Sequence, residues 1–203
     1  MPYVFSDQKP SVPDKRENSQ LPQPLGSVKI VQRQNNKPKL ESEKLCRIEL
    51  SKEAINFSAA HFTIFSRTER EDLHGHNFQV IGEVLAPVDE NGLVFDYVVL
   101  KKALKQLCDD LDEKTILPEE SPYLSIEKDA QYVSGIFDKQ KLMFLHRDVI
   151  TLPISNVSVE ELSHYFLTRL MEISEIKNKD IREIVIKISS SPGQAGAATW
   201  RKP

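Results

Sequence analysis

The sequence predicts an α+β domain built on an antiparallel sheet, and three patterns predict it. Residues 76–86 and 181–189 alternate apolar with polar side chains, the period of half-buried strands. Residues 100–111 change to the helical period, with Leu100, Ala103, Leu104, Leu107 and Leu111 along one face. Ser158 followed by Glu161 has the spacing of a capping box. It opens a second helix, whose buried face is Leu162, Tyr165, Phe166, Leu170 and Ile173.

Taken in order, CRIELSKEAINFSAAHF (46–62) is strand-like but interrupted around residues 51–54. HNFQVIGEVLA (76–86) follows as a strand, PVDENG (87–92) as a turn, and LVF (93–95) resumes apolar before the first helix begins near Tyr97. Residues 119–156 form an irregular insert with short strand candidates at 132–137 and 141–144. After the second helix, Ile184, Ile186 and Ile188 alternate with Val185 and Lys187 in a late strand. The order is two strands, helix, insert, helix, strand, which is the α+β arrangement.

The chain has 203 residues, 39% hydrophobic and 28% charged, enough for one domain with a sizeable core. A net charge of −3 gives no overall attraction to nucleic acid or to an anionic membrane. Cys46 and Cys108 form neither a CxxC pair nor a disulfide framework, so a reducing compartment is expected. With no apolar run near the roughly 20 residues of a membrane span and no signal-peptide pattern, a cytoplasmic protein is expected. Residues 1–40 differ from the rest: they hold six of the twelve prolines and seven Lys and Arg against three Asp and Glu, a charge of +4. Such a segment buries too little apolar surface to offset its ordering entropy. It reads as a disordered basic tail before a domain at 41–203, either a solvated extension or a docking segment.

Chemistry concentrates in NFSAAHF (56–62) and EDLHGHNFQV (71–80). In a strand, residues i and i+2 share a face, so His74 and His76 present two imidazoles side by side. His61 closes a separate strand and supplies a third if the two strands pair. Three neutral imidazoles without a fourth protein ligand describe a catalytic zinc site with one position open for water or substrate. HxH alone is more often an accident of a strand; the third histidine after an apolar run puts metal binding ahead.

These elements resemble the 6-pyruvoyltetrahydropterin synthase and 6-carboxytetrahydropterin synthase family. FSAAH and HGHN carry the resemblance, GLVFDYVVLKKALKQLCDDLDEKTIL and NVSVEEL extend it, and it covers roughly residues 45–192. It implies a tunnelling fold, a four-stranded antiparallel sheet with two helices on one face, and subunits assembling into a barrel as a homohexamer. It also implies Zn²⁺ on His61, His74 and His76, and a substrate of the 7,8-dihydroneopterin triphosphate type.

Three positions depart from the family's pattern. The cysteine shortly before HGH is missing, and Glu71 stands three residues before His74, resembling a subgroup with glutamate in that role. Glu71 is either a general base or a solvated loop carboxylate, and both readings stay open at this level. At LDEK the family has Asp-His; here Asp112 is kept and Glu113 replaces the histidine, a poor proton donor near neutral pH if unperturbed. His146 and His164 read as surface residues. The carboxylate that anchors the pterin would fall near Ser190, in KISSSPGQAG, and a serine cannot offer two negative oxygens to a guanidine-like edge. Glu160 matches the family's glutamate before the second helix and is a candidate for substrate binding or for helix capping. The leading expectation is a zinc-dependent lyase acting on a dihydropterin; the alternative is an inactive paralogue that keeps the fold and metal.

Overall fold

One long strand organises the chain. The computed structural model describes residues 43–203, so the tail expected at 1–40 lies outside the described residues. In order the elements are β1 (Leu45–Leu50), β2 (Asn56–His61), β3 (His74–Pro87), α1 (Val98–Leu111), β4 (Lys114–Pro118), β5 (Ser125–Lys128) and β6 (Tyr132–Phe137). They continue with β7 (Gln140–Leu145), β8 (Val149–Leu152), α2 (Val159–Met171), α3 (Ser174–Lys177), β9 (Glu183–Ser191) and β10 (Gln194–Arg201). The main sheet runs β10-β9-β3-β2-β4-β8, with β1 also paired to β3.

This corrects the expected four-stranded antiparallel sheet: there are seven strands, and β4 pairs in parallel with both β2 and β8. β4 escaped the pattern because four of its five residues are buried, giving an apolar run in place of an alternation. β10 reads QAGAATWR, small residues of low strand propensity that become a strand through pairing with β9. The insert is ordered: β5, β6 and β7 make a separate three-stranded antiparallel sheet, while β8 joins the main one. The smaller sheet packs its own core, including Phe62, Ile64, Leu117, Val133 and Phe137.

β1 and β2 lie end to end along one side of β3, as the interruption near residues 51–54 foreshadowed. Leu50 pairs with Gly82 and Asn56 with Gln79, so residues 51–55 lie opposite only Val80 and Ile81. Five residues facing two make a bulge with three extra, an odd number, which exchanges the faces of the strand. Before it, Ile48 and Leu50 turn toward the core; after it, Phe57, Ala59 and His61 do. β3 has no such break, and Phe78, Val80, Gly82, Val84 and Ala86 stay on the buried face throughout.

Both long helices cover that face. Leu100, Leu104, Cys108 and Leu111 of α1 and Leu162, Phe166 and Leu170 of α2 join Phe57, Phe78 and the three isoleucines of β9 in one core. Phe57 stacks between Phe78 and Phe166, at centroid distances of 4.9 and 5.8 Å. Gly196 of β10 lets the start of α2 lie against the sheet: a Cβ there would come within 2.7 Å of the Val159 carbonyl carbon. Ser158 caps α2, its side chain accepting from the Glu161 amide as the capping pattern predicts. On the opposite face Arg47 bridges Glu83 and Glu183, and Arg201 also reaches Glu183, an exposed ladder of modest energetic value. No helix among the described residues is long and apolar enough to cross a membrane.

Candidate active site

Pairing of β2 with β3 sets His61 directly opposite His74 and Ala59 opposite His76. The bulge turns His61 inward, and the unbroken phase of β3 turns His74 and His76 to the same side, at the end of the apolar stripe. The three rings stand with centroids 4.7 to 5.3 Å apart. One nitrogen from each lies within 4.8 Å of the others, so the three residues could hold a metal ion.

Hydrogen bonding orients the donors. His61 Nδ1 lies 3.0 Å from the Val157 carbonyl, and His74 Nδ1 lies 2.8 Å from that of Asp72. A carbonyl can only accept, so each Nδ1 carries the proton and each Nε2 keeps a lone pair. His61 Nε2 is buried with no protein partner, and the Nε2 atoms of His74 and His76 approach to 3.1 Å. Burial, and then the neighbouring His74 and His76, push the His61 pKa down and favour its neutral, ligating form. An orphaned, inward-facing nitrogen beside two further imidazoles fits a divalent cation; it does not fit a core histidine satisfied by protein alone.

A cavity of about 470 Å³ opens over these rings. Its wall includes Glu71, Glu160, Ser190 and Gln194 together with all three histidines. Glu71 Oε2 accepts from the Thr63 amide at 2.9 Å and lies 4.0 Å from His74 Nε2. Burial pushes this carboxyl's pKa up, but the Thr63 bonds and the adjacent His74 outweigh it and the net direction is down. The Thr63 amide holds the Glu71 side chain at the cavity wall beside His74.

Asp112 and Glu113 do not reach this cavity within the chain. Asp112 ends α1 and accepts from the Ser58 amide at 2.7 Å, while the Glu113 amide donates back to the Ser58 carbonyl at 2.8 Å. Glu113 adopts a left-handed backbone (φ 58°). It lines a second cavity of about 480 Å³ with Ser58, Asn77, Lys114 and Asp148, which touches the first through His76. His146 bonds the Asp129 carbonyl and His164 is exposed on α2, so neither joins the site.

Other contributors were invisible to sequence reasoning. Asn156 donates to the Ile64 carbonyl and accepts from the Ile64 amide at 2.8 and 3.0 Å, steadying the segment that leads from His61 to Glu71. Thr63 and Phe65 line the cavity from the same segment. Only its position between the two histidine motifs could have drawn attention to it.

The site can be set beside known proteins. A family model described as 6-pyruvoyl tetrahydropterin synthase matches residues 49–199. A Methanocaldococcus jannaschii protein provisionally assigned as a 6-carboxy-5,6,7,8-tetrahydropterin synthase is 28% identical over 150 residues, 73% of this chain and 90% of that one. The 6-pyruvoyl tetrahydropterin synthase of Plasmodium vivax superposes with a TM-score of 0.74 at 27% identity, covering 79% of this chain and 100% of its own. That of Plasmodium falciparum does so at 0.73 and 33% identity, covering 78% of this chain and 99% of its own. The family model spans most of the main sheet, both long helices and the three histidines, and the chain belongs to the 6-pyruvoyl tetrahydropterin synthase family.

Proposed function

We propose that the chain is a zinc-dependent lyase acting on 7,8-dihydroneopterin triphosphate or a related dihydropterin, in pterin or folate biosynthesis. The observation that carries this reading is one cavity holding both the three inward-facing imidazoles and the fixed carboxylate of Glu71. His61, His74 and His76 are the residues that would hold Zn²⁺; when bound, the ion supplies Lewis-acid stabilisation of the charge that develops on the substrate's side-chain oxygens. Glu71, ionised and held by Thr63 through Oε2, is the base that takes a proton from a side-chain carbon of the substrate. In the pyruvoyl-forming reaction that carbon's electron pair forms a new double bond, and triphosphate leaves with the electrons of its C–O bond. Glu160 at the start of α2 binds the substrate from the cavity wall, which Ser190 and Gln194 also line. P. vivax 6-pyruvoyltetrahydropterin synthase variants in which a catalytic glutamate is replaced by cysteine or alanine, both similar to this chain with TM-scores of 0.74, support a glutamate among the catalytic residues.

A second reading, a paralogue that keeps fold and metal without the reaction, is favoured by two observations. Ser190 occupies the cavity position where the resemblance expects a pterin-anchoring carboxylate, and Asp112 and Glu113 face elsewhere. Metal analysis followed by incubation with dihydroneopterin triphosphate separates the two. Bound zinc, lost in a His61→Ala/His74→Ala/His76→Ala variant, together with a new dihydropterin identified by mass spectrometry, is the expected result. Zinc without product from any dihydropterin would move the assignment to the paralogue.

A further inference from the structure

We propose that Arg70 is a positioning residue for Glu71, fixing the catalytic carboxylate by tying its segment to the insert sheet. This rests on the reading of Glu71 as the base. Residues 63–71 form a small hairpin: Thr63 and Glu71 exchange backbone and side-chain hydrogen bonds, Ile64 bridges Arg70, and Phe65 and Ser66 donate to the Glu69 carbonyl. A ladder this short does not hold its shape alone. One strand is pinned by Asn156, which pairs with both backbone groups of Ile64. Arg70 pins the other.

Its guanidinium stands over the Phe62 ring at 4.9 Å and over the Phe137 ring of β6 at 5.7 Å, and both rings are buried. From that slot Nη1 donates to the Glu71 carbonyl at 2.7 Å and Nη2 to Gln140 Oε1 of β7 at 3.3 Å. Arg70 Nε is buried without a partner. For packing alone, an apolar side chain would fill the slot and leave no donor unpaired. What arginine adds is a rigid planar fork that stacks on aromatic rings and holds two acceptors at once, which a lysine ammonium does not reproduce. One of those acceptors is the backbone of the residue whose side chain faces the histidines. The insert is thus joined mechanically to the site, although neither Phe137 nor Gln140 lines the cavity.

The test compares the full chain, zinc-loaded, with Arg70→Lys, Arg70→Met, Glu71→Gln and the Arg70→Met/Glu71→Gln double variant. Arg70→Met should lower kcat about 10- to 100-fold with KM and zinc content little changed, the cost of a base misplaced by a fraction of an ångström to about 1 Å. Arg70→Lys, the variant least disturbing to folding, should not restore it. In the Glu71→Gln background, Arg70→Met should add less than about 2-fold, because both changes disable one function. Wild-type kcat in Arg70→Met, or losses that multiply in the double variant, would overturn the proposal while leaving the lyase reading intact. A readout independent of turnover is hydrogen exchange at the Thr63 and Glu71 amides, which should quicken by about tenfold in Arg70→Met and Arg70→Lys. A wild type that converts no dihydropterin would defeat the lyase reading. Exchange would still decide on Arg70, and unchanged protection would overturn its role.

Discussion

Gly196 offers a direct test of how the sheet and the site are coupled. Replacing it with alanine places a Cβ 2.7 Å from the Val159 carbonyl carbon, 2.8 Å from its oxygen and 2.9 Å from the Glu160 nitrogen. All three are backbone atoms at the start of α2, so no side chain can swing aside. To open the shortest distance to about 3.4 Å the helix terminus must retreat by about 0.7 Å. Overpacking of this kind costs about 1–3 kcal/mol. For a domain of this size each kcal/mol lowers Tm by about 2–4 °C, so a fall of about 2–12 °C is expected by calorimetry. The displaced segment also carries the Val157 carbonyl that orients His61, and loosening such a partner typically costs about 10–100-fold in metal affinity. Gly82→Ala is the matched control. Its new Cβ meets Leu104 Cδ1 at 2.8 Å, the far end of a side chain that can change rotamer, so stability should suffer less and zinc affinity should hold. Equal effects from the two substitutions, or an unchanged zinc affinity in Gly196→Ala, would refute the coupling.

Four further outcomes follow from the geometry. Glu71→Gln should lower turnover by the roughly 10²–10⁴-fold of a lost general base with zinc retained, whereas Asp72→Asn, exposed next to it, should change little; equal losses would indicate bulk charge and not a placed base. Burial pushes the Cys108 thiol up to about 12 while Cys46 is exposed, so a disulfide reagent should titrate one of the two cysteines in the folded protein and both after denaturation. Because the unfolded thiol ionises near 9.0 and the folded one does not, this group's contribution to stability is full below that pH and declines above it, which denaturation midpoints across pH 8 to 10 would reveal. Among the described residues the main sheet ends in β8 and β10, each with one neighbour, and open edges favour pairing with further copies; light scattering should report an oligomer, the homohexamer that family membership leads us to expect, and a stable zinc-loaded monomer would count against it.

The parts legible in the sequence were those whose pattern is local. β3 and β9 announced themselves by alternation, α2 by its cap, and the histidine cluster by spacing plus one assumption, that two strands pair. The illegible parts depend on partners distant in the chain. β10 is a strand because β9 borders it and α2 presses on Gly196, neither of which its own alanines encode. β4 is short and pairs in parallel on both sides, so burial removed the polar half of its alternation, and β8 is only four residues long, too short to show a period. Arg70 sits in a densely charged run, and nothing there tells that its charge lies over two phenylalanine rings, one of them far away in the insert sheet. Glu113 was read through its neighbour's chemistry, whereas its backbone turns it toward a different cavity.

The bulge between β1 and β2 gives the metal cluster a reading frame. Three extra residues move His61 from the outer face of the sheet to the inner one, so the cluster depends on a parity as much as on three side chains. A one-residue deletion or insertion within 51–55 sets β1 and β2 in conflict: if the segment keeps its shape, one of the two strands must turn over, and where that strand is β2, His61 goes outward and Ser58 and Ala60 come in. A change of two residues raises no such conflict. Length in that segment is thus a constraint on the site in its own right, felt with all three histidines still in the sequence.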